Sequence, residues 1–217
     1  MKKLWLALWV CAALLPRAAA LSAAAAVTMD ADTGETLFAE NADSRLPMAS
    51  TTKIMTALVA LGEGDLDRVY TVKKQYAAVE GSSMYLEEGE RLTLRDTLYG
   101  LLLSSGNDAA AAVAGECGGE RAFVDKMNAK ARELGLTDTH FENPSGLPSD
   151  GHYTTARELA KITAAALRDP VFRDIVSTKT CTAAGRTLVN HNRLLSLYED
   201  AIGVKTGFTR AAGRCLV

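Results

Sequence analysis

Ala49-Ser50-Thr51-Thr52-Lys53-Ile54-Met55-Thr56 is the stretch on which the reading of this chain turns. Pro47 precedes it, Ile54, Leu58 and Leu61 then recur on one face, and Gly62 supplies a stop, so a helix is expected over residues 50–61 with Ser50 at or near its start. Residues i and i+3 of a helix share a face, which brings Ser50 Oγ and Lys53 Nζ within reach of each other. A serine hydroxyl is a poor nucleophile until a base takes its proton, and a lysine is that base only when neutral. Lys53 therefore needs burial, a nearby cation, or both, because each disfavours the charged form.

Alone, the tetrad says little. An S-x-x-K is expected roughly once by chance in a chain of this length, Ser50 fits a helix cap, and Lys53 fits a solvated surface lysine. Two further motifs change the balance. Ser105-Gly106-Asn107 interrupts two strongly apolar helices, one opening at Thr93 with Asp96 as its capping partner and running to about Leu103, the other spanning residues 108–116. A break there is buried or nearly so, and it aims a hydroxyl and a carboxamide into one cleft. Ser105 can relay a proton to a leaving amine, and Asn107 can hold Lys53 and a substrate amide. Lys205-Thr206-Gly207 lies on a strand, where Gly207 removes a side chain at the edge along which a peptide can dock. Lys205 is the candidate second cation, and Lys205 and Thr206 face the carboxylate end of such a peptide. Singly, the second motif is a helix-breaking turn and the third a strand edge with a hairpin turn. Together and in this order, each in the local structure its chemistry needs, coincidence falls well under about one in a hundred.

The rest of the chain frames these motifs. Residues 27–30 and 36–39 read as strands joined through Asp32-Thr33-Gly34; residues 62–92 read as loop-rich; residues 120–134 form an amphipathic helix ending at Gly135; Thr155 and Glu158 cap another that Pro170 closes; and residues 180–188, 204–209 and 214–217 read as strand. The expected fold class is α+β, with strands from both chain ends meeting in one antiparallel sheet and a cluster of helices packed on it.

Among 217 residues, 48% are apolar and 23% charged, an ordinary globular composition. Lys2 and Lys3, the apolar run over residues 4–15 and Ala18-Ala19-Ala20 have the order of a secretory leader over residues 1–20, so the chain is expected to be exported, with residues 21–217 as one domain. Three of the 24 basic residues lie in that leader, which leaves 21 against 26 acidic ones, a net charge near −5. That balance excludes nucleic-acid and anionic-membrane binding as the expected role. Cys117, Cys181 and Cys215 lack metal-ligand spacing and read as buried small hydrophobes. No cofactor and no metal is expected: His140, His152 and His191 form no H-E-x-x-H or comparable set, which disfavours a zinc carboxypeptidase.

With Phe141-Glu142-Asn143-Pro144-Ser145-Gly146-Leu147 and Gly203-Val204-Lys205-Thr206-Gly207-Phe208-Thr209 added to the first two motifs, the chain from about Ala26 to Val217 resembles the low-molecular-mass penicillin-binding proteins, serine-type D-alanyl-D-alanine carboxypeptidases of the β-lactamase/transpeptidase-like fold. The resemblance implies Ser50 as nucleophile, Lys53 as general base, Ser105 as a catalytic proton relay, and Asn107, Lys205, Thr206, Gly207 and Phe208 as substrate-binding. It implies an oxyanion hole from the backbone N–H groups of Ser50 and Phe208. The implied partners are peptidoglycan stem peptides ending in D-Ala-D-Ala and β-lactam antibiotics, which would acylate Ser50. It also implies further strand and helix after Val217, an arginine for the substrate carboxylate, and often a β-rich domain and membrane anchor. Read on that pattern, the chain is C-terminally truncated, without the anchor, and leaves a sheet edge unpaired. A serine β-lactamase is the nearest rival, but Gly106 stands where class A enzymes have aspartate, and no E-x-x-L-N segment occurs. A non-catalytic penicillin- or peptidoglycan-binding module is the rival from another class.

Overall fold

The computed structural model describes residues 22–217, so the leader expected over residues 1–20 lies outside the described residues. One helix organises the rest. A 3₁₀ turn over Ala49–Thr52 runs directly into α1 (Lys53–Leu61), in which Lys53, Ile54, Met55, Thr56, Ala57, Val59 and Ala60 are all buried. A helix with so little polar surface must be covered on every side. It packs against α3 (Leu94–Leu102), α4 (Asn107–Glu116), α5 (Glu120–Glu133), α6 (Ala156–Ala166) and α7 (Pro170–Ser177). Two short helices, α2 (Lys74–Ala77) and α8 (Leu194–Leu197), complete the set among the described residues.

Local chemistry fixes the helix ends. Thr93 and Asp96 form the expected reciprocal capping box on α3. On α6, Thr155 accepts from the Glu158 N–H, but the Glu158 carboxylate reaches away to the N–H groups of Thr137 and Asp138 and to Thr139 Oγ1. It ties a loop to the helix instead of closing the box. Pro170 does not close α6, which ends at Ala166; it is the first residue of α7, capped by Asp169, a position where its missing N–H costs nothing. Phe123, Met127 and Ala131 give α5 its buried stripe, and Gly135, at φ +70°, takes the left-handed position just past its end.

The α+β class is as expected, but the strands from the two chain ends do not share a sheet. Four two-stranded antiparallel ladders form: β1 (Ala26–Met29) with β2 (Thr36–Glu40), β3 (Val69–Thr71) with β4 (Arg91–Thr93), β5 (Thr180–Ala183) with β6 (Arg186–Val189), and β7 (Thr206–Thr209) with β8 (Gly213–Leu216). The reason is docking: β1 lies on α6, whereas β7 and β8 lie on the 3₁₀ turn, so each hairpin finishes its pairing internally on a different part of the helical core. The β3–β4 ladder falls within the segment expected to be loop. Its strands are three residues each, too short for alternation to register, although Tyr70 and Leu92 are both buried. The strand expected over 180–188 is a hairpin, turned at Ala184-Gly185, both of which have positive φ. Cys117 is buried, and Cys181 and Cys215 are partly so; all three are free thiols. Among the described residues no helix is long and apolar enough to cross a membrane.

Candidate active site

The 3₁₀ turn sets Ser50 and Lys53 on one face, and Lys53 Nζ lies 3.1 Å from Ser50 Oγ. Lys53 is completely buried, and its two other Nζ contacts are to atoms that can only accept: Asn107 Oδ1 at 2.8 Å and the Ser145 carbonyl at 2.6 Å. The amide orientation of Asn107 follows from its other end, which donates from Nδ2 to the Glu80 carbonyl at 2.7 Å. A neutral amine has two N–H groups and one lone pair. With both donors taken by Asn107 and Ser145, the lone pair is left for the Ser50 hydroxyl. The electrostatics favour that state: burial first, then the charge of Lys205, hold Lys53 well below the ordinary lysine range, and Asp108 opposes them weakly.

Lys205 is 1% exposed, and burial brings its pKa down to about 7. Among the described residues, its Nζ donates only to the Thr206 carbonyl, at 2.9 Å. It faces the site as a source of positive potential more than as an open contact, and Thr206, partly exposed, is the more accessible group. Gly207 closes the arrangement. A Cβ there would stand 3.0 Å from the Ser50 nitrogen and 3.2 Å from Ala49 Cβ, so β7 lies directly over the turn that carries the serine because this residue has no side chain.

The ladder register then aims the strand's free edge. Lys205 and Val217 exchange N–H···O bonds, so Gly207 with Cys215 and Thr209 with Gly213 are the next bonded pairs. The Phe208 N–H therefore points away from β8, toward the edge above Ser50. At Ser50 itself, the first N–H groups of a helical turn have no intrahelical acceptor. The Phe208 side chain is exposed.

Ser105 sits at the helix break with φ +60° and is 5% exposed; its hydroxyl makes no hydrogen bond to Ser50 or Lys53. Ala49, immediately before the nucleophile candidate, also has positive φ, +47°. Non-glycine residues persist in this region only where the surroundings hold them there, and such residues concentrate at functional sites.

Several members of the site carried no signal readable from spacing. Ser145 contributes a backbone carbonyl, and its loop is shaped by Asn143 Oδ1, which accepts from Ser145 N–H and from Gly146 N–H at 2.8 Å. Asp108 accepts from Ser83 Oγ at 2.6 Å, from Met84 and Leu86 N–H at 3.0 Å and from Ala109 N–H at 2.8 Å, all within the buried interior. Asp108→Ala leaves the Met84 and Leu86 N–H groups buried and unpaired, and chemical denaturation should report a loss of about 3 kcal/mol. A loss under about 1 kcal/mol would mean that the 83–86 segment is held by other contacts.

His152, expected to be structural or on the surface, is a buried strut beneath the turn. Its Nδ1 accepts from the Glu142 N–H at 3.0 Å, so Nε2 carries the proton and meets Thr52 Oγ1 at 2.8 Å, which in turn donates to the Ala49 carbonyl. Burial lowers its pKa from 6.5 to about 4. As the pH falls, the unfolded chain takes up this proton before the folded one does. The stability contributed by neutral His152 is complete above about pH 6.5 and is lost progressively toward pH 4, by up to about 3 kcal/mol. Denaturant titrations across that window should show a shallower slope for His152→Gln, and identical slopes would remove His152 as the titrating group.

On an α+β scaffold, a serine within hydrogen-bond distance of a completely buried lysine and roofed by a glycine-bearing strand has the geometry of a serine–lysine acyl-transfer site. The chain belongs to peptidase family S11, D-alanyl-D-alanine carboxypeptidase, whose family model matches residues 12–217. It is 40% identical over 220 residues to the D-alanyl-D-alanine carboxypeptidase of Streptomyces sp. (strain K15), covering 91% of this chain and 76% of that one. It is 41% identical over 206 residues to the D-alanyl-D-alanine carboxypeptidase DacF of Bacillus subtilis (strain 168), covering 89% of this chain and 53% of that one. This chain thus spans about three-quarters of one relative and about half of the other. Among solved structures, it is similar to the Streptomyces K15 DD-transpeptidase, with a TM-score of 0.83 at 40% identity over 88% of this chain and 82% of that one. It is also similar to the D-alanyl-D-alanine carboxypeptidase of Mycobacterium tuberculosis H37Rv, with a TM-score of 0.84 at 39% identity over 88% and 74%.

Proposed function

We propose that this chain removes the terminal D-alanine from peptidoglycan stem peptides ending in D-Ala-D-Ala, outside the cytoplasm, through an acyl-enzyme on Ser50. The observation that carries the reading is the triple engagement of the completely buried Lys53 Nζ with Ser50 Oγ, Asn107 Oδ1 and the Ser145 carbonyl; in the neutral amine that burial favours, the last two take both N–H groups and the lone pair is left for Ser50 Oγ. In the first half-reaction, Ser50 Oγ attacks the carbonyl of the penultimate D-alanine and Lys53 takes the hydroxyl proton. The negative charge moves to the former carbonyl oxygen, where the N–H groups of Ser50 and Phe208 stabilise it. The intermediate collapses, the C–N bond breaks, and the amine of D-alanine leaves with a proton delivered through Ser105. In the second half-reaction, water adds to the ester carbonyl as Lys53 takes its proton, the C–Oγ bond breaks, Lys53 returns that proton to Ser50 Oγ, and the shortened peptide leaves as its carboxylate. Lys205 and Thr206 receive the terminal carboxylate, Lys205 through its field and Thr206 by contact. A β-lactam undergoes the same first attack, but its leaving amine stays tethered and the ester persists.

The test is to follow free D-alanine from a D-Ala-D-Ala pentapeptide beside covalent labelling by a fluorescent penicillin, both with the purified chain. D-alanine release with a label supports the carboxypeptidase. A label without release supports a penicillin-binding module, and rapid turnover of the penicillin with no peptide cleavage would support a β-lactamase.

A further inference from the structure

The segment between α2 and β4 wraps around the second motif and displays an aromatic side chain to solvent. Asn107 donates from its backbone N–H to the Ser82 carbonyl and from Nδ2 to the Glu80 carbonyl, both at 2.7 Å. A Cβ on Gly81 would stand 2.6 Å from Asn107 Nδ2, and one on Gly106 would stand 3.1 Å from the Met84 nitrogen. Residues 80–84 therefore lie against the break that carries Ser105 and Asn107.

Tyr85 follows with φ +63°. For a bulky residue that conformation is costly, and glycine or asparagine would make the same turn with less strain. The backbone is nonetheless pinned there. Ser83 Oγ accepts the Tyr85 N–H at 2.7 Å, and Arg186 Nη2 donates to the Tyr85 carbonyl at 2.6 Å while the same guanidinium is paired with Glu90. On either side, the Met84 and Leu86 N–H groups are held by the Asp108 carboxylate. Met84 and Leu86 point inward, 1% and 5% exposed, whereas Tyr85 is turned out at 78% exposure. Its hydroxyl makes no hydrogen bond among the described residues. An aromatic held rigidly in a strained turn with 78% of its surface open is placed to receive a ligand.

We infer that Tyr85 is a specificity-determining contact for the acyl side of the ligand, its ring packing on the peptide, or on the acyl side chain of a β-lactam, that precedes the reacting carbonyl. The inference rests on the reading of Ser50 as the acylated nucleophile. The leaving group is a single alanine whose carboxylate is assigned to Lys205 and Thr206, and it offers an aromatic ring little to cover. The bulk of the ligand lies on the acyl side.

The experiment compares ligands with and without that bulk. For Tyr85→Ala, kcat/KM for the pentapeptide and the acylation rate constant for benzylpenicillin should fall about 10-fold, whereas N-acetyl-D-Ala-D-Ala and 6-aminopenicillanic acid should change less than about 2-fold. Tyr85→Phe keeps the wild-type preference. Tyr85→Gly, which relieves the φ strain, melts at or above the wild-type temperature yet loses the same preference, a separation that a merely structural role would not produce. Equal losses for all four ligands, or none for any, overturn the inference. A wild-type chain that neither takes the label nor releases D-alanine overturns it together with the Ser50 reading; a reactive wild type with an indifferent Tyr85→Ala overturns the inference alone.

Discussion

Ser50→Ala is expected to abolish the penicillin label and to lower D-alanine release by at least about 10⁴-fold, because residues that act as a catalytic unit fail together when the nucleophile is lost. Among the described residues no other hydroxyl is bonded to Lys53 Nζ to take its place. Folding should be almost untouched. The Ser50 side chain makes one hydrogen bond, to Lys53, and its position in the turn is set by the backbone of Ala49–Thr52. Stability should therefore change by less than about 0.5 kcal/mol. The measurement pairs in-gel fluorescence with a denaturant melt. A label that survives in a folded Ser50→Ala sample would locate the nucleophile elsewhere and sink the proposed mechanism.

The second large effect is at Lys53. Lys53→Met keeps the length and apolar stem of the side chain but removes the proposed base, and acylation should fall by at least about 10³-fold. The variant also carries a signature in stability against pH. Lys53 has its folded pKa pushed well below 10.5 by burial and Lys205, and Lys205 is itself at about 7. Between those folded values and 10.5 the unfolded chain binds more protons, so wild-type stability rises as pH increases from neutral toward 10.5. Removing Lys53 takes away its part of that rise and leaves the part due to Lys205, the window from about 7 to 10.5. If the wild type and Lys53→Met gain stability equally with pH, Lys53 is charged in the folded chain and cannot be the base.

The elements legible in the sequence are those whose signals are local. The α3 capping box, the β1–β2 hairpin and the stop at Gly135 each depend on a few neighbouring residues, and all form as expected. Pro170 is ambiguous in the sequence because its ring is equally compatible with ending one helix and beginning the next; the Asp169 side chain, accepting from Val171 and Phe172 N–H, decides for the second. The β3–β4 ladder was missed because three residues per strand give alternation too few positions to show itself.

The sequence by itself determined which residue types the chemistry would use. Ser50 and Lys53 share a face because three residues make nearly one helical turn, and Gly207 is a glycine because β7 leaves no room for a Cβ above Ser50. The tertiary structure alone decided the state of those groups. A lysine is ordinarily charged and solvated, and Lys53 is suited to the proposed role of base only because five helices, the Ser145 carbonyl and Asn107, brought from distant parts of the chain, exclude water from around it. Desolvation is a property of the assembled surroundings, so no stretch of sequence could contain it. The same holds for Tyr85: its identity is in the sequence, but its exposure at the end of the segment that packs on Asn107 exists only because Asp108 and Arg186, remote in the chain, hold the backbone around it.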